Sequence, residues 1–242
     1  VNRHPGVSHN YKRNDPLNIW FTVAVPPTDS LEQVVNILHV LAKAEETIIL
    51  PTLRLYKIGV KLDLTGQEAS LESPEEIYNE QRRMSAKPPL TEQDITFIRV
   101  MQEDLPVLEL PFAVWAEQAE TTEEELFAWA RKMEHLGYLR RFAAILHHRN
   151  AGFKANAMVV WQVPQEQVDA CGEEMARFRE VSHCYRRPVY PNWPYPIFAM
   201  IHAETHSACM DVVRRIEERI GQFPHKSLFS TKEYKKIRVK YF

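Results

Sequence analysis

The chain has 242 residues, 45% of them hydrophobic and 26% charged, with a formal net charge of −2. That is globular composition, long enough for one large domain or a few small ones, and it excludes wholesale disorder and any general pull toward polyanions. No apolar run approaches the roughly 18 residues that a membrane span needs, and the opening VNRHPGVSHN lacks the apolar core of a secretory signal.

The first segment, VSHNYKR (7–13), leads into a β-rich run, LNIWFTVAV (17–25). Ser30 then opens a helix over 30–46, with Leu31, Val34, Val35, Leu38 and Leu41 on one face and Gln33 placed for a capping box. TLRLYKIGVKLDL (52–64) reads as a strand. The polar, proline-punctuated stretch 65–89 reads as a linker. Three helices follow: one opened by Thr91 and Asp94, one at 111–119 with proline at its start, and one at 121–137 capped by Thr122 and closed by Gly137. With YLRRFAAILHHR as a hairpin wing, this is a winged helix-turn-helix. From 155 the order is strand, helix, strand (VSHCYRRP), strand (IFAMIHA), helix, and a last strand over 232–242. That is the βαββαβ order of a ferredoxin-like fold.

VSHNYKR and VSHCYRR place the same residues in the same order. His9 aligns with His183, Tyr11 with Tyr185 and Arg13 with Arg187, while YKIGVK (56–61) aligns with YKKIRVK (234–240). Residues 1–64 are therefore expected to be a partial copy of the ferredoxin-like domain at 151–242, lacking its first strand and helix, with the winged helix-turn-helix at 90–150 between them. A partner segment or a second chain is expected to complete the first copy. The fold class is α+β, internally duplicated.

A winged helix-turn-helix before such a domain is the layout of Lrp/AsnC regulators. A DNA-reading helix needs Lys and Arg at its leading end, and here that end reads TTEEELFAWA. Nucleic acid is not an expected partner. Three scattered cysteines, Cys171, Cys184 and Cys209, with no C-x-x-C spacing, favour a cytoplasmic setting and argue against a structural zinc site. No glycine-rich nucleotide fingerprint occurs.

Acidic residues are absent up to Asn14, between Glu134 and Glu166, and between Glu180 and Glu204. These windows hold His9, Lys12, Arg13, Arg141, His148, Arg149, His183, Arg186, Arg187 and His202, interleaved with Tyr11, Tyr185, Trp193 and Tyr195. Guanidinium forks suit carboxylates, and aromatic faces suit a flat ligand. Plainer readings stand beside this one. The pair 147–148 can be wing decoration, His202 a satisfied strand-end histidine, and Trp193 with Tyr195 ordinary core.

RRFAAILHHRNAGFKANAMVVWQVP, VSHCYRRPVYPNWPYPIFAMIHA and LTEQDITFIRVMQEDLPV together resemble the siroheme decarboxylases, in their fused two-half form. Ala143 and Pro196 depart from the usual family residues. The resemblance implies removal of CO2 from the C12 and C18 acetates of siroheme. It implies no cofactor beyond the substrate, whose iron arrives with it, and a pseudo-dimer of two halves. It points to His148, His183 and Tyr185 as the reacting groups, with His148 a candidate axial ligand to the substrate iron. Arg141, Arg149, Arg186, Arg187, Trp193 and His202, with His9, Tyr11, Lys12 and Arg13 from the first copy, are then the substrate-binding set. A tetrapyrrole-responsive regulator or a non-catalytic tetrapyrrole carrier is the alternative.

Overall fold

The computed structural model describes residues 1–26, 29–58, 88–139, 142, 155–238, 240 and 241. The chain divides into two compact units, Val1–Tyr78 with Leu146–Ile237, and Asn79–Ile145 with Arg238–Phe242.

The first unit is built on a seven-stranded sheet. Its strands are β1 (Val7–Arg13), β2 (Ile19–Val23), β3 (Arg54–Ile58), β4 (Ala155–Trp161), β5 (Val181–Arg186), β6 (Ile197–Ala203) and β7 (His225–Lys236), in the order β2-β1-β7-β4-β6-β5-β3. The inner four, β7-β4-β6-β5, with helices α5 (Val168–Ala176) and α6 (His206–Ile220), make one ferredoxin-like domain. Odd-numbered residues of β4 (Ala155, Ala157, Val159, Trp161) meet Cys171 and Met175 of α5 and Val212, Val213 and Ile216 of α6 in the main core. Even-numbered Met158 and Val160 turn to the opposite, helix-free face. Gly172 is required in α5, because an added Cβ would lie 2.3 Å from the Tyr56 ring.

The partial copy supplies β1, β2, α1 (Leu31–Ala42) and β3, placed at the two ends of the sheet. β1 pairs antiparallel with β7, and β3 pairs antiparallel with β5. The last strand of each copy thus lies against the histidine strand of the other. The registers agree: His9 faces Lys236, Asn10 faces Lys235, Tyr11 faces Glu233 and Lys12 faces Lys232. Correspondingly, His183 faces Ile58, Cys184 faces Lys57, Tyr185 faces Leu55 and Arg186 faces Arg54. Matching His9 with His183 therefore matches Tyr234 with Tyr56, the alignment expected from sequence. β2 pairs only with β1 among the described residues, whereas its counterpart β6 is paired on both sides.

Helix α1 is capped by Ser30, whose hydroxyl accepts from the Gln33 amide at 3.3 Å, and it ends at Lys43 in the left-handed region (φ 51°), earlier than the expected 46. Strand β7 begins at His225, seven residues before the strand expected from sequence. Its first half is held by β4 and its second by β1, a change of partner that no local pattern announces. Residues 59–64 of the expected third strand, the wing over 140–141 and 143–150, and most of the linker lie outside the described residues.

The second unit contains α2 (Glu92–Met101), α3 (Pro111–Gln118) and α4 (Glu123–His135), packed through Phe97, Trp115, Ala119 and Leu126. Thr91 and Asp94 form the full capping box, and Trp129 donates to the Asp94 carboxylate at 2.7 Å. Burial pushes the Asp94 carboxyl up, but these hydrogen bonds and Lys132 outweigh it and hold it below its ordinary value. Thr122 caps α4 through the Glu125 amide, and Gly137 past its end takes φ 73°.

Candidate functional site

The two histidine strands carry the same side-chain arrangement on the helix-free face. His9, Tyr11 and Arg13 alternate along β1, and His183, Tyr185 and Arg187 alternate along β5 and just past it. The His9 and Tyr11 rings lie 6.2 Å apart at 33°, the His183 and Tyr185 rings 6.0 Å apart at 31°. Each arginine closes its set from the inside. The Arg13 guanidinium sits 5.8 Å from the Tyr11 ring and 5.9 Å from Trp20, and Arg187 sits 5.0 Å from Tyr185 and 5.4 Å from Phe198. Trp20 and Phe198 are themselves counterparts, facing Tyr11 and Tyr185 across their strand pairs. Arg13 donates to the Leu228 carbonyl at 2.7 Å and Arg187 to the Leu50 carbonyl. Burial lowers both guanidinium pKa values, that of Arg13 to about 10, against the smaller opposing effect of the tyrosines. Each of these two arginines is thus engaged by a backbone carbonyl and a tyrosine ring.

Between the arms, Trp193, Phe198, Val160 and Leu228 form a buried second core, with Trp20, Tyr185 and Tyr195 packed on it. In a flat sheet β2 and β6 would stand four spacings, about 19 Å, apart. The Trp20 and Phe198 ring centroids are nonetheless 6.3 Å apart, and Trp20 lies 5.4 Å from Trp193, so the sheet curls around this face. Trp193 is 1% exposed: the plainer sequence reading, core, describes its place here. Lys226 crowns this core, 5.4 Å from the Trp193 ring and 5.6 Å from Tyr195, and pairs with Asp15 at 2.9 Å.

The remaining expected residues divide. Lys12 is exposed on β1, whereas its counterpart Arg186 is engaged by Asp169 at 3.2 Å. Asp169 also pairs with Arg54 at 3.0 Å and accepts from the Tyr56 hydroxyl at 2.5 Å. Although desolvation raises it, these partners hold the Asp169 carboxyl below its ordinary value, while burial and Asp169 push the Tyr56 phenol well up. His202 on β6 reaches the same face as His183: its Nε2 lies 2.8 Å from Ser182 Oγ, which is in turn 2.8 Å from His183 Nδ1. In the first arm Ser8 Oγ lies 3.0 Å from His9 Nδ1 and 2.8 Å from Thr22 Oγ1. The serines were legible in sequence, since VSH occurs in both copies, but their role was not assigned. Arg141, His148 and Arg149 lie outside the described residues. Among the described residues, no group of three His, Cys, Asp or Glu side chains is placed to hold a metal ion.

The AsnC-like ligand binding domain family matches residues 1–57 and 150–235, and the siroheme decarboxylase NirDL-like HTH domain matches 94–140. The siroheme decarboxylase of Hydrogenobacter thermophilus is 39% identical over 243 residues, covering 100% of this chain and 71% of that protein. The chain belongs to the siroheme decarboxylase family. The siroheme decarboxylase beta subunit of Methanosarcina barkeri is 40% identical over 61% of this chain and 97% of its own length. Among solved structures, the siroheme decarboxylase NirDL in complex with an iron-uroporphyrin III analogue matches all of this chain and 68% of its own, with a TM-score of 0.67 and 32% identity. An AsnC family transcriptional regulator from Agrobacterium tumefaciens, at 20% identity and a TM-score of 0.50, shares the fold. The α+β class, with AsnC-like and helix-turn-helix domains, is thereby established for this chain.

Proposed function

We propose that this chain removes CO2 from the C12 and C18 acetate side chains of siroheme, giving didecarboxysiroheme. The observation that carries the reading is the pair of His–Tyr–Arg arms on one curled sheet face, in a chain of this family. In each step the bond between the methylene and its carboxylate breaks and CO2 leaves. The electron pair stays on the methylene, where the conjugated macrocycle spreads it, and a proton from the protein completes a methyl group. The iron and the electron sink belong to the substrate, and we assign no resident cofactor.

The chain's own work is to bind the carboxylates, hold the ring and deliver that proton. His183 is the proton donor in this reading, because imidazole exchanges protons near neutral pH and Tyr185 stands beside it. His148 is assigned to the substrate iron, and Arg141, Arg149 and His9 to the carboxylates. Arg13 and Arg187 set the tyrosine rings. The reciprocal strand pairing supports a pseudo-dimer in which the two halves act as subunits around one ligand. A cytoplasmic setting fits the three free cysteines. The regulator reading is disfavoured by Glu123, Glu124 and Glu125 in the first turn of α4, where phosphates would have to approach.

Anaerobic incubation with siroheme, followed by mass spectrometry, tests the proposal. Loss of one and then two CO2 units is the expected result. Binding without mass loss would leave a carrier, and salt-dependent DNA binding would return the regulator.

A further inference from the structure

We propose that the two arms are chemically unequal: Ser182 and His202 are positioning residues that make His183 the proton-delivering histidine, while His9 only binds. This rests on the decarboxylase reading above and goes beyond it by assigning the chemistry to one half.

The register irregularity between Val181 and His183 places Ser182, which strict alternation would turn away, within reach of the side chains on the His183 face. Ser182 is 2% exposed, and its hydroxyl stands 2.8 Å from both His183 Nδ1 and His202 Nε2, with the Met200 carbonyl a longer 3.4 Å away. A hydroxyl has one hydrogen and two acceptor sites. It can accept the Nδ1–H of a protonated His183 and donate onward to a neutral His202 nitrogen. That chain engages Nδ1 and leaves Nε2–H as the proton offered to the substrate.

The groups around the two histidines then diverge. His183 faces Ile58 across the strand pair and Met200 on β6, with Tyr185 beside it. His9 faces Lys236, with Glu233 two positions further along the pair and Tyr11 beside it. Behind His9 the serine ends on the Thr22 hydroxyl, and Ala24 stands where the second arm has His202. A lysine in front and a weakly basic hydroxyl behind both work against a protonated His9, whereas behind His183 the serine can pass its hydrogen to a basic imidazole. Burial and Lys236 lower the His9 pKa accordingly, with Glu233 opposing.

The test compares Ser182→Ala, His202→Leu, His202→Gln and Ser8→Ala in the full chain with siroheme under anaerobic conditions. Ser182→Ala and His202→Leu should lower kcat by about 10–100-fold with little change in KM, the usual scale for removing a partner that orients a reacting group. His202→Gln, whose amide can still accept from Ser182, should recover most of that loss, and Ser8→Ala should leave kcat within about threefold. Equal kcat losses from Ser8→Ala and Ser182→Ala, or no loss from Ser182→Ala, would overturn the assignment. Nitrogen-15 NMR of His183 provides a readout independent of turnover. Its Nδ1 should carry a hydrogen-bonded signal that Ser182→Ala abolishes, and an unchanged signal would sink the positioning role even in a protein that does not turn over. An inactive wild-type chain would instead count against the decarboxylase reading itself.

Discussion

The two arms of the sheet share geometry and differ in chemistry. Ring separations and tilts agree closely, each arginine is stacked on a tyrosine and a second aromatic ring, and the strand registers run in step. Yet Lys12 is exposed where Arg186 is held by Asp169, and Ser8 meets the Thr22 hydroxyl where Ser182 meets His202 in the other arm. Duplication kept what a curled sheet needs in order to pack, and left free the positions that decide how each histidine handles a proton. The way to break this comparison is to make the same change on both sides.

The largest difference should come from the histidines themselves. His183→Ala should lower kcat by about 10²–10⁴-fold, the range for loss of a general acid. His9→Ala should act mainly on KM. Steady-state turnover of siroheme by both variants decides it, and equal losses in kcat would make the arms equivalent after all.

The arginines should show the opposite pattern, alike in both arms and visible in stability. Arg13→Ala and Arg187→Ala each remove a buried guanidinium from two ring faces and leave a carbonyl, Leu228 or Leu50, without that donor. A loss of about 1–3 kcal/mol is expected for each, measured by urea unfolding. Lysine should not restore it, because an ammonium lacks the planar surface that stacks on the rings. If activity falls with no change in unfolding midpoint, the arginines contact substrate and are not internal supports.

Much of this was legible in the sequence, and the reasons for the rest are physical. The helix caps at Ser30, Thr91 and Thr122 are local chemistry, so they could be read directly. The duplication could be read because VSH-x-Tyr recurs, and the strand registers follow the same alignment. The start of β7 at His225 could not, since HKSLFS has little alternation and is a strand only because β4 lies alongside it. The acid-free windows show where cations collect along the chain but not how each is engaged in the fold. Arg13, Arg186 and Arg187 are engaged by carbonyls, rings and Asp169, a residue outside those windows. A pattern of charges shows where cations collect, not which of them are already partnered.

Asp169 offers a finer probe of that last difference. Asp169→Asn should free Arg186 toward the exposure of Lys12, at a cost no larger than about 1 kcal/mol for a pair this open to solvent. The siroheme KM should not move, because Arg186 alternates with Tyr185 and lies on the α5 side of the sheet, and a fall would show that Arg186 reaches the substrate after all.

The smallest effect should be in the pH dependence of stability, and it belongs to the first arm. Burial, followed by Lys236, holds the His9 pKa below its ordinary value against the pull of Glu233. Below a pH of about 6.5 the unfolded chain therefore binds a proton that the folded chain resists. Stability from this group is complete above that pH and is lost as the pH falls, until the folded-state pKa is also passed. His9→Asn should remove this component and flatten the melting curve between roughly pH 7.5 and 5.5, by about 1–3 °C in Tm for a ring only partly shielded from water. Lys236→Met should flatten it in part by removing one of the two causes. A wild-type Tm that rises as the pH falls through this window, and ceases to do so in His9→Asn, would mean that His9 gains a proton on folding, and the inequality of the two arms would be reversed.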